Sequence, residues 1–432
     1  MPRTRSTLRR SLTMVGAATV TITALAACSG GGGGGTAADE FTFLAINENT
    51  TIPTVLTSLS ENECSAQNDA LPLKINKQAQ ASLDQQLQLL GGQDALPSAF
   101  ISANSPDLMK ELSAAGKVAD FAGTDVSDQI LPVAASSLEG LYGDEEIVLP
   151  SELNIEGIWY NEQLLEDNGV EVPESWGDLT DSFATLSDAG VQPISAAGQG
   201  GDGWGVTRWV GAYIFRDLGP DAMRAVDEGD AKVTDDDYVA AADAVGELGA
   251  EGYFGPSPSS IDYATAMSTF LSGDAAYYYM GSWAVSNFND DTQNEIGADN
   301  IGFLPFPEVD GGKGSADQTP ANTGTGISFS ASAFEDDRVK DWADCIAENY
   351  GTVALREASQ ISGFTVNDEV ETSDLTQMVQ EQIDATDQSI AWFEALMSPA
   401  ATTASQSNGG PLGAGQLDGA GFMSAVQSSI GN

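Results

Sequence analysis

Short apolar runs alternate with amphipathic helical patterns from Phe41 onward, and this alternation restricts the fold more than any other feature of the chain. Residues 41–46 read as a buried strand, followed by a helix through Val55, Leu56 and Leu59. Residues 71–75 read as a second strand. A helix over 80–90 follows, with Leu83, Leu87 and Leu90 on one face, stopped by Gly91 and Gly92. A third strand at 99–101 precedes a helix with Ser105 as its cap and Pro106 at its first position, ending at Gly116. Strand–helix units of this length predict an α/β fold, with doubly wound parallel sheets and ligand loops at the carboxyl ends of the strands.

The pattern resumes after Pro150. Strands are expected at 157–160, 191–195, 275–280, 301–307 and 327–330. Helical patterns cover 163–167, 177–188, 206–218, 238–248, 263–271 and 337–357. There is no internal repeat of fixed period. Such a length, 432 residues, allows two or more domains.

The first residues read as an address. Arg3, Arg5, Arg9 and Arg10 precede a short apolar stretch at 15–27, which ends Leu25-Ala26-Ala27-Cys28 before a run of glycines at 30–35. A positive start, a short apolar core and small residues before a cut describe an export signal. Leu-Ala-Ala-Cys resembles the bacterial lipobox, in which the cysteine is diacylated; residues 1–27 are then a signal peptide, with Cys28 the lipidated first residue of the mature chain. Two acyl chains hold a membrane stably where one does not. Residues 28–40 form a glycine-rich tether of roughly 20 Å mean reach. The expected location is the extracytoplasmic face of the cell membrane, as on a Gram-positive cell surface.

Composition removes several functions. The chain carries 16 basic and 64 acidic residues, a formal charge of −48. Four of the arginines lie in the leader, so the remainder carries 12 against 64. That field repels nucleic acid, and no basic stripe is present to meet phosphates. Histidine is absent, which removes the commonest general base, the commonest metal ligand and every Ser-His-Asp triad. Besides Cys28 there are Cys64 and Cys345. In an exported chain one such pair invites a disulfide; two free buried thiols are the alternative.

Four islands then carry a resemblance. They are Gly157-Ile-Trp-Tyr-Asn-Glu-Gln-Leu-Leu165 continuing to Pro173-Glu-Ser-Trp176; Phe270-Leu-Ser-Gly273 through Gly281-Ser-Trp283; Ile301-Gly-Phe-Leu-Pro-Phe-Pro307; and Asn322-Thr-Gly-Thr-Gly-Ile-Ser-Phe329 before a helix near Asp336. In that order they resemble the family 1 extracellular solute-binding proteins of ABC importers, the group that includes maltose-binding protein. The resemblance covers most of residues 41–400, and the tail at 401–432 departs from it. It implies a two-lobed periplasmic-binding-protein fold of type II kind, hinged around a cleft. Residues 41–150 with 325–368 would form lobe 1, and 151–324 with 369–432 lobe 2. Crossovers are expected near Pro150 and Asn322, with a third between Phe364 and Glu371. Cys64 and Cys345 then fall in one lobe, which supports a Cys64–Cys345 bridge. Closing a loop of 281 residues gives at most roughly 5–6 kcal/mol on the chain-entropy model.

A sugar presents C–H patches that aromatic planes cover and hydroxyls that amides and carboxylates bond. By the resemblance, Trp283 matches a position that stacks on ligand. Trp204, after a glycine-rich loop, is placed near the cleft, and Trp209 either aligns with another family aromatic or packs in the core. Asn47, Glu48 and Asn49 follow the first strand, where polar contacts are drawn; Asn104 follows the third, or caps the Pro106 helix. Asn154 lies close to a family polar contact, and Asn322 and Thr325 lie near a crossover. Trp392 is a further candidate near the carboxyl end. Tyr160 and Trp176 read as structural.

Three signals point elsewhere. Gly198-Gln-Gly-Gly-Asp-Gly203 fits GxGxxG after a strand, but Trp204 follows where close helix packing would be wanted. The acids at 227–237 lack calcium-loop spacing, and helix capping by Asp235 or Asp236 accounts for them. Carboxylates are so frequent that their number alone leaves a glycosidase pair open. The expected function is capture of a carbohydrate without chemistry, cofactor or metal, by a monomer that delivers it to membrane permease subunits. A peptide or polyamine ligand, or a secreted carbohydrate-active enzyme, is the alternative.

Overall fold

Phe41, Phe43 and Ala45 alternate inward along the first strand and are fully buried, the period-2 pattern of a strand with one face on a core. The structure is a computed structural model and describes residues 39–430, apart from 48, 80, 81, 104 and 387. The leader, Cys28 and the tether lie outside the described residues.

Among the described residues the strands are β1 (Phe41–Ile46), β2 (Leu73–Gln78), β3 (Ala99–Ile101), β4 (Asn154–Asn161), β5 (Gln192–Ser195), β6 (Ala275–Gly281), β7 (Ile301–Leu304), β8 (Gln318–Asn322), β9 (Ile327–Phe329) and β10 (Gln388–Ile390). They make two sheets. The first has the order β2-β1-β3-β9, with β1 parallel to β2 and β3, and β9 antiparallel at the edge. The second has the order β10-β8-β4-β6-β5, and β7 also pairs with β4. Each sheet carries its own core, so the chain is two-lobed.

The three-strand parallel unit predicted from the first hundred residues is present. The second sheet is mixed instead of parallel, because β4 is antiparallel to β6, β7 and β8. A purely parallel sheet needs a crossover between each pair of strands; here the chain returns to β4 from the opposite direction three times.

Lobe 1 is completed by chain from far downstream. The helix Asp337–Ala358 lays Trp342 against Phe41, with ring centroids 4.9 Å apart and nearly parallel planes. The Trp342 indole N–H donates to Leu71 O at 2.9 Å. Cys64 and Cys345 form a disulfide, with their Cα atoms 5.9 Å apart, as the resemblance implied.

The carboxyl-terminal tail, which departs from the family pattern in sequence, is helical over Pro399–Gly413 and Gly419–Gln427, with Gly409, Gly410 and Pro411 inside the first helix. Its glycines meet those of the GxGxxG segment. A methyl on Gly203 would run into the Gln406 carbonyl, one on Gly409 into the Gly203 carbonyl, and one on Gly410 into the Gly198 carbonyl. Bare backbone on both sides is what lets the helix and the loop touch. The glycine pattern at 198–203 is therefore a packing surface for the tail. Asp235 stands at the cap position of the helix Asp236–Ala250, although its carboxylate accepts from Lys232 N–H at 2.9 Å. No helix among the described residues is long and apolar enough to cross a membrane.

Candidate functional site

The register of the second sheet assembles the site. Because β4 runs against both β6 and β8, its first residues stand beside the last residues of those strands. Asn154 is opposite Asn322, and Glu156 is opposite Gly281. One edge of the sheet thus collects Asn154, Glu156, Asn322 and the Gly281-Ser282-Trp283 turn. A Cβ on Gly281 would overlap the Trp283 ring, so glycine allows the indole to fold back over its own strand.

Trp204 reaches the same edge from the glycine-packed loop after β5. Asp202 steadies that loop by accepting the Tyr263 N–H at 3.0 Å. Trp204 meets Trp283 edge to face with centroids 6.2 Å apart, and lies 5.9 Å from Tyr263. These three rings form an aromatic wall whose members are partly exposed.

Arg208 sits one helical turn beyond Trp204. Its guanidinium carbon is 5.7 Å from the ring centroids of both Trp204 and Trp392. Glu156 approaches it at 2.8 Å and Glu394 at 2.7 Å. Glu394 also accepts from the Thr207 hydroxyl and, at 2.8 Å, from Ser405, while Asn322 donates to Glu156 at 3.4 Å. Burial pushes the Glu156 carboxyl above its usual pKa; Arg208 opposes this and the Glu394 charge adds to it. Two carboxylates sharing one guanidinium are fixed elements of the wall.

A second cluster joins the crossovers. Glu152 accepts from Asn49 Nδ2 at 3.2 Å and from Thr325 N–H at 3.4 Å, and Gln360 also bonds it. Burial raises its pKa, against the pull of these hydrogen bonds. Asn322 Oδ1 accepts the Gly324 N–H at 3.1 Å, with Asn154 Nδ2 at 3.5 Å. Segments near residues 50, 152, 325 and 360 therefore meet at one carboxylate.

Of the residues singled out from sequence, Asn154, Asn322, Trp204, Trp283 and Trp392 come together, with Asn49 and Thr325 joined to them through Glu152. Trp392 also lines a separate cavity of about 380 Å³ beside Ser136, Arg224 and Ser389. Asn47 is exposed at the end of β1, outside this group. Glu48 and Asn104 lie outside the described residues. Trp209 is corrected: it is fully buried among Phe183, Phe254, Tyr279 and Phe306, which leaves no face for a ligand.

Sequence reading missed Arg208, Glu156, Glu394, Glu152, Tyr263 and Gln360. For the first two a signal exists. A charge inside an otherwise buried run is costly unless paired, and both interrupt such runs, in β4 and in the helix Trp204–Leu218. Among the described residues no group of three acidic or thiol side chains is placed to hold a metal ion.

A two-lobed α/β body with an aromatic and amide-lined edge beside its crossovers defines a receptor class of protein. The family described as "Bacterial extracellular solute-binding protein" matches residues 77–350, and the chain belongs to it. Over 207 residues it is 24% identical to a "Probable sugar-binding periplasmic protein" of Mesorhizobium japonicum, a match covering 46% of this chain and 48% of that protein. The chain thus spans about half the length of that relative. Among solved structures it is similar to a "Chitin oligosaccharide binding protein", with TM-score 0.72, 20% identity, and 91% and 98% of the two chains covered. It is also similar to RafE from Streptococcus pneumoniae, with TM-score 0.71, 16% identity, and 91% and 97% coverage.

Proposed function

We propose that this chain is the carbohydrate receptor of a bacterial ABC importer, tethered by a lipid on Cys28 to the outer face of the cell membrane. The observation that carries the reading is the edge where β4, β6 and β8 end: the Trp204–Trp283–Tyr263 wall stands beside the Asn154–Asn322 amides. Aromatic planes cover the C–H faces of a sugar, and amides bond hydroxyls as donor and acceptor at once. The relatives agree in kind, since one is described by chitin oligosaccharide binding and RafE is described in complex with raffinose.

The mechanism is capture by closure. Residues 41–150 with 325–368 form one moving body and 151–324 with 369–432 the other, hinged where Glu152, Thr325 and Gln360 meet. Ligand held by both bodies favours the closed state by its differential affinity, and the closed form docks on membrane permease subunits. The carboxylates nearest the wall, Glu156 and Glu394, both face Arg208, an arrangement that favours binding over acid–base turnover. The acidic leader-free chain and its lack of a basic stripe give no surface for nucleic acid.

Tryptophan fluorescence of the purified protein, titrated with neutral mono- and oligosaccharides, polyamines and short peptides, tests this. A saturable response to one sugar class, lost in Trp283→Ala with the fold intact, is expected. A response to polyamine or peptide alone would overturn the sugar assignment, and consumption of the sugar would make the protein an enzyme.

A further inference from the structure

The disulfide that staples lobe 1 is sealed on one side only. Cys64 has no exposed surface, while Cys345 is 6% exposed and lines a surface cavity of about 440 Å³. Asn349, in the same wall, reaches Cys345 Sγ with its side-chain amide at 3.7 Å, so the sulfur lies directly behind the cavity floor. The rate at which a thiolate attacks a disulfide depends on which sulfur it can reach and on which leaves more easily. The Asn349 amide favours Cys345 as the leaving group, which directs attack to Cys64. Cys64 is sealed, however, and access decides.

Carboxylates line the approach to Cys345. Asp341 lies four residues before it and Glu348 three after, the two spacings that make side chains neighbours on a helix. Asp344 and Glu63 complete the acidic lining, and no lysine or arginine joins them. Arg356 pairs with Glu63 at 2.8 Å. Asp341, Asp344 and Glu348 form no ion pair among the described residues. Burial, with the charges of Asp125 and Asp341, raises the Asp344 carboxyl above its usual pKa, in keeping with a negative field at this spot.

We propose that Cys345 is the point of thiol–disulfide exchange in the folded protein, and that the carboxylates beside it select the attacking thiol by charge, favouring cationic over anionic ones. The thiolate sulfur bonds to Cys345 Sγ as the Cys64–Cys345 bond breaks; Cys64 leaves as a thiolate and takes a proton from solvent. A second thiolate then displaces Cys345 from the mixed disulfide. The protein pair gains two electrons, and the two small thiols end as one disulfide. Charges in about 0.1 M salt are screened over about 10 Å, so the acids at the cavity itself act most strongly on a thiolate entering it. The bridge thereby resists anionic thiols while staying open to exchange.

The test is reduction of the purified protein by cysteamine, mercaptoethanol and mercaptopropionate, whose second groups are cationic, neutral and anionic, followed by alkylation and mass spectrometry. Rates per thiolate are divided by those for a neutral model disulfide, which removes differences in nucleophilicity. In low salt the normalised rate is expected to fall about tenfold or more from cysteamine to mercaptopropionate, and the spread to shrink to about threefold or less in about 1 M salt. The trapped mixed disulfide is expected on Cys345. The triple variant Asp341→Asn, Asp344→Asn, Glu348→Gln should lose most of the spread. A control with Glu171→Gln, Glu174→Gln and Asp181→Asn, which removes as many charges from the cavity beside Val172, should keep it. Thermal melts of both variants check the fold. Equal normalised rates for the three thiols, rates independent of thiol concentration (attack only after unfolding), or a mixed disulfide on Cys64 would each overturn the proposal. So would a full spread in the triple variant, or an equal loss in the control.

Discussion

Arg208 is held between Glu156, 2.8 Å away on β4, and Glu394, 2.7 Å away near the carboxyl terminus. Its guanidinium also lies against Trp204 and Trp392. One side chain thus pairs with both buried carboxyls at the middle of the site and lies between two candidate ligand-facing rings. Removing it as Arg208→Met leaves two carboxylates buried and unpaired, and a loss of about 3–5 kcal/mol is expected in denaturant unfolding. The triple variant with Glu156→Gln and Glu394→Gln should recover most of that loss. An equally unstable triple variant would show that packing, not charge, is what Arg208 supplies.

The response to pH follows from two carboxyls. Burial raises the pKa of both Glu152 and Glu156 above 4.5. Each binds its proton more tightly in the folded protein than in the unfolded one, so stability falls as pH rises from about 4.5 through the raised values. Asp262, Asp290 and Asp336 are shifted the other way by hydrogen bonds, and their contribution is lost as pH falls below about 3.8. Melting temperature should therefore be higher at pH 5 than at pH 8 and decline again toward pH 3. Glu152→Gln should flatten the limb above pH 5, and an unchanged limb would remove Glu152 as its source.

Reduction of Cys64–Cys345 acts on stability and spares the cleft. The bridge lies in the core of lobe 1, with Cys64 fully buried. Loss of about 2–5 kcal/mol is expected on reduction or in the double serine variant. Ligand affinity measured below the new melting point should stay within a factor of two or so, one hydrogen bond's worth at most. A large affinity loss in a folded reduced protein would contradict this division.

The glycines beneath Trp204 tie the carboxyl-terminal helix to the site. Gly203→Ala places a methyl against the Gln406 carbonyl, an overpacking that costs about 1–3 kcal/mol. Because Trp204 is the next residue, its fluorescence response to ligand should weaken as well. An alanine variant with wild-type stability and response would mean that the tail does not position the ring.

How much of this could be read in advance depended on distance along the chain. The Ser105 cap was legible because its partner, the Leu108 N–H at 3.4 Å, is three residues away. The aromatic wall was partly legible, through Gly-Ser-Trp283 and the loop before Trp204. The charge cluster was not, because Glu156, Arg208 and Glu394 come from separate elements that only the folded sheet brings together. Trp209 was misplaced for a reason the helix itself supplies. At about 100° per residue, position 209 lies about 140° around from Trp204, while Arg208 lies only about 40° away. The tail helix had no clear sequence signal because glycine and proline disfavour helix locally; contact with bare backbone at 198 and 203 outweighs that preference.

The bridge between Cys64 and Cys345 has one more consequence. Its covalent circle encloses β2 to β9, while the second sheet's body still awaits the helices from Asp374 to Gln427 after the circle has closed. The two halves are interleaved along the chain, and no single cut separates them into whole parts. Synthesis runs from the amino end, so Cys64 waits through 281 residues for its mate, and neither half is complete until most of the polypeptide has been made. Such a chain spends its early life open along most of its length, the condition in which a polypeptide can be threaded through a narrow passage.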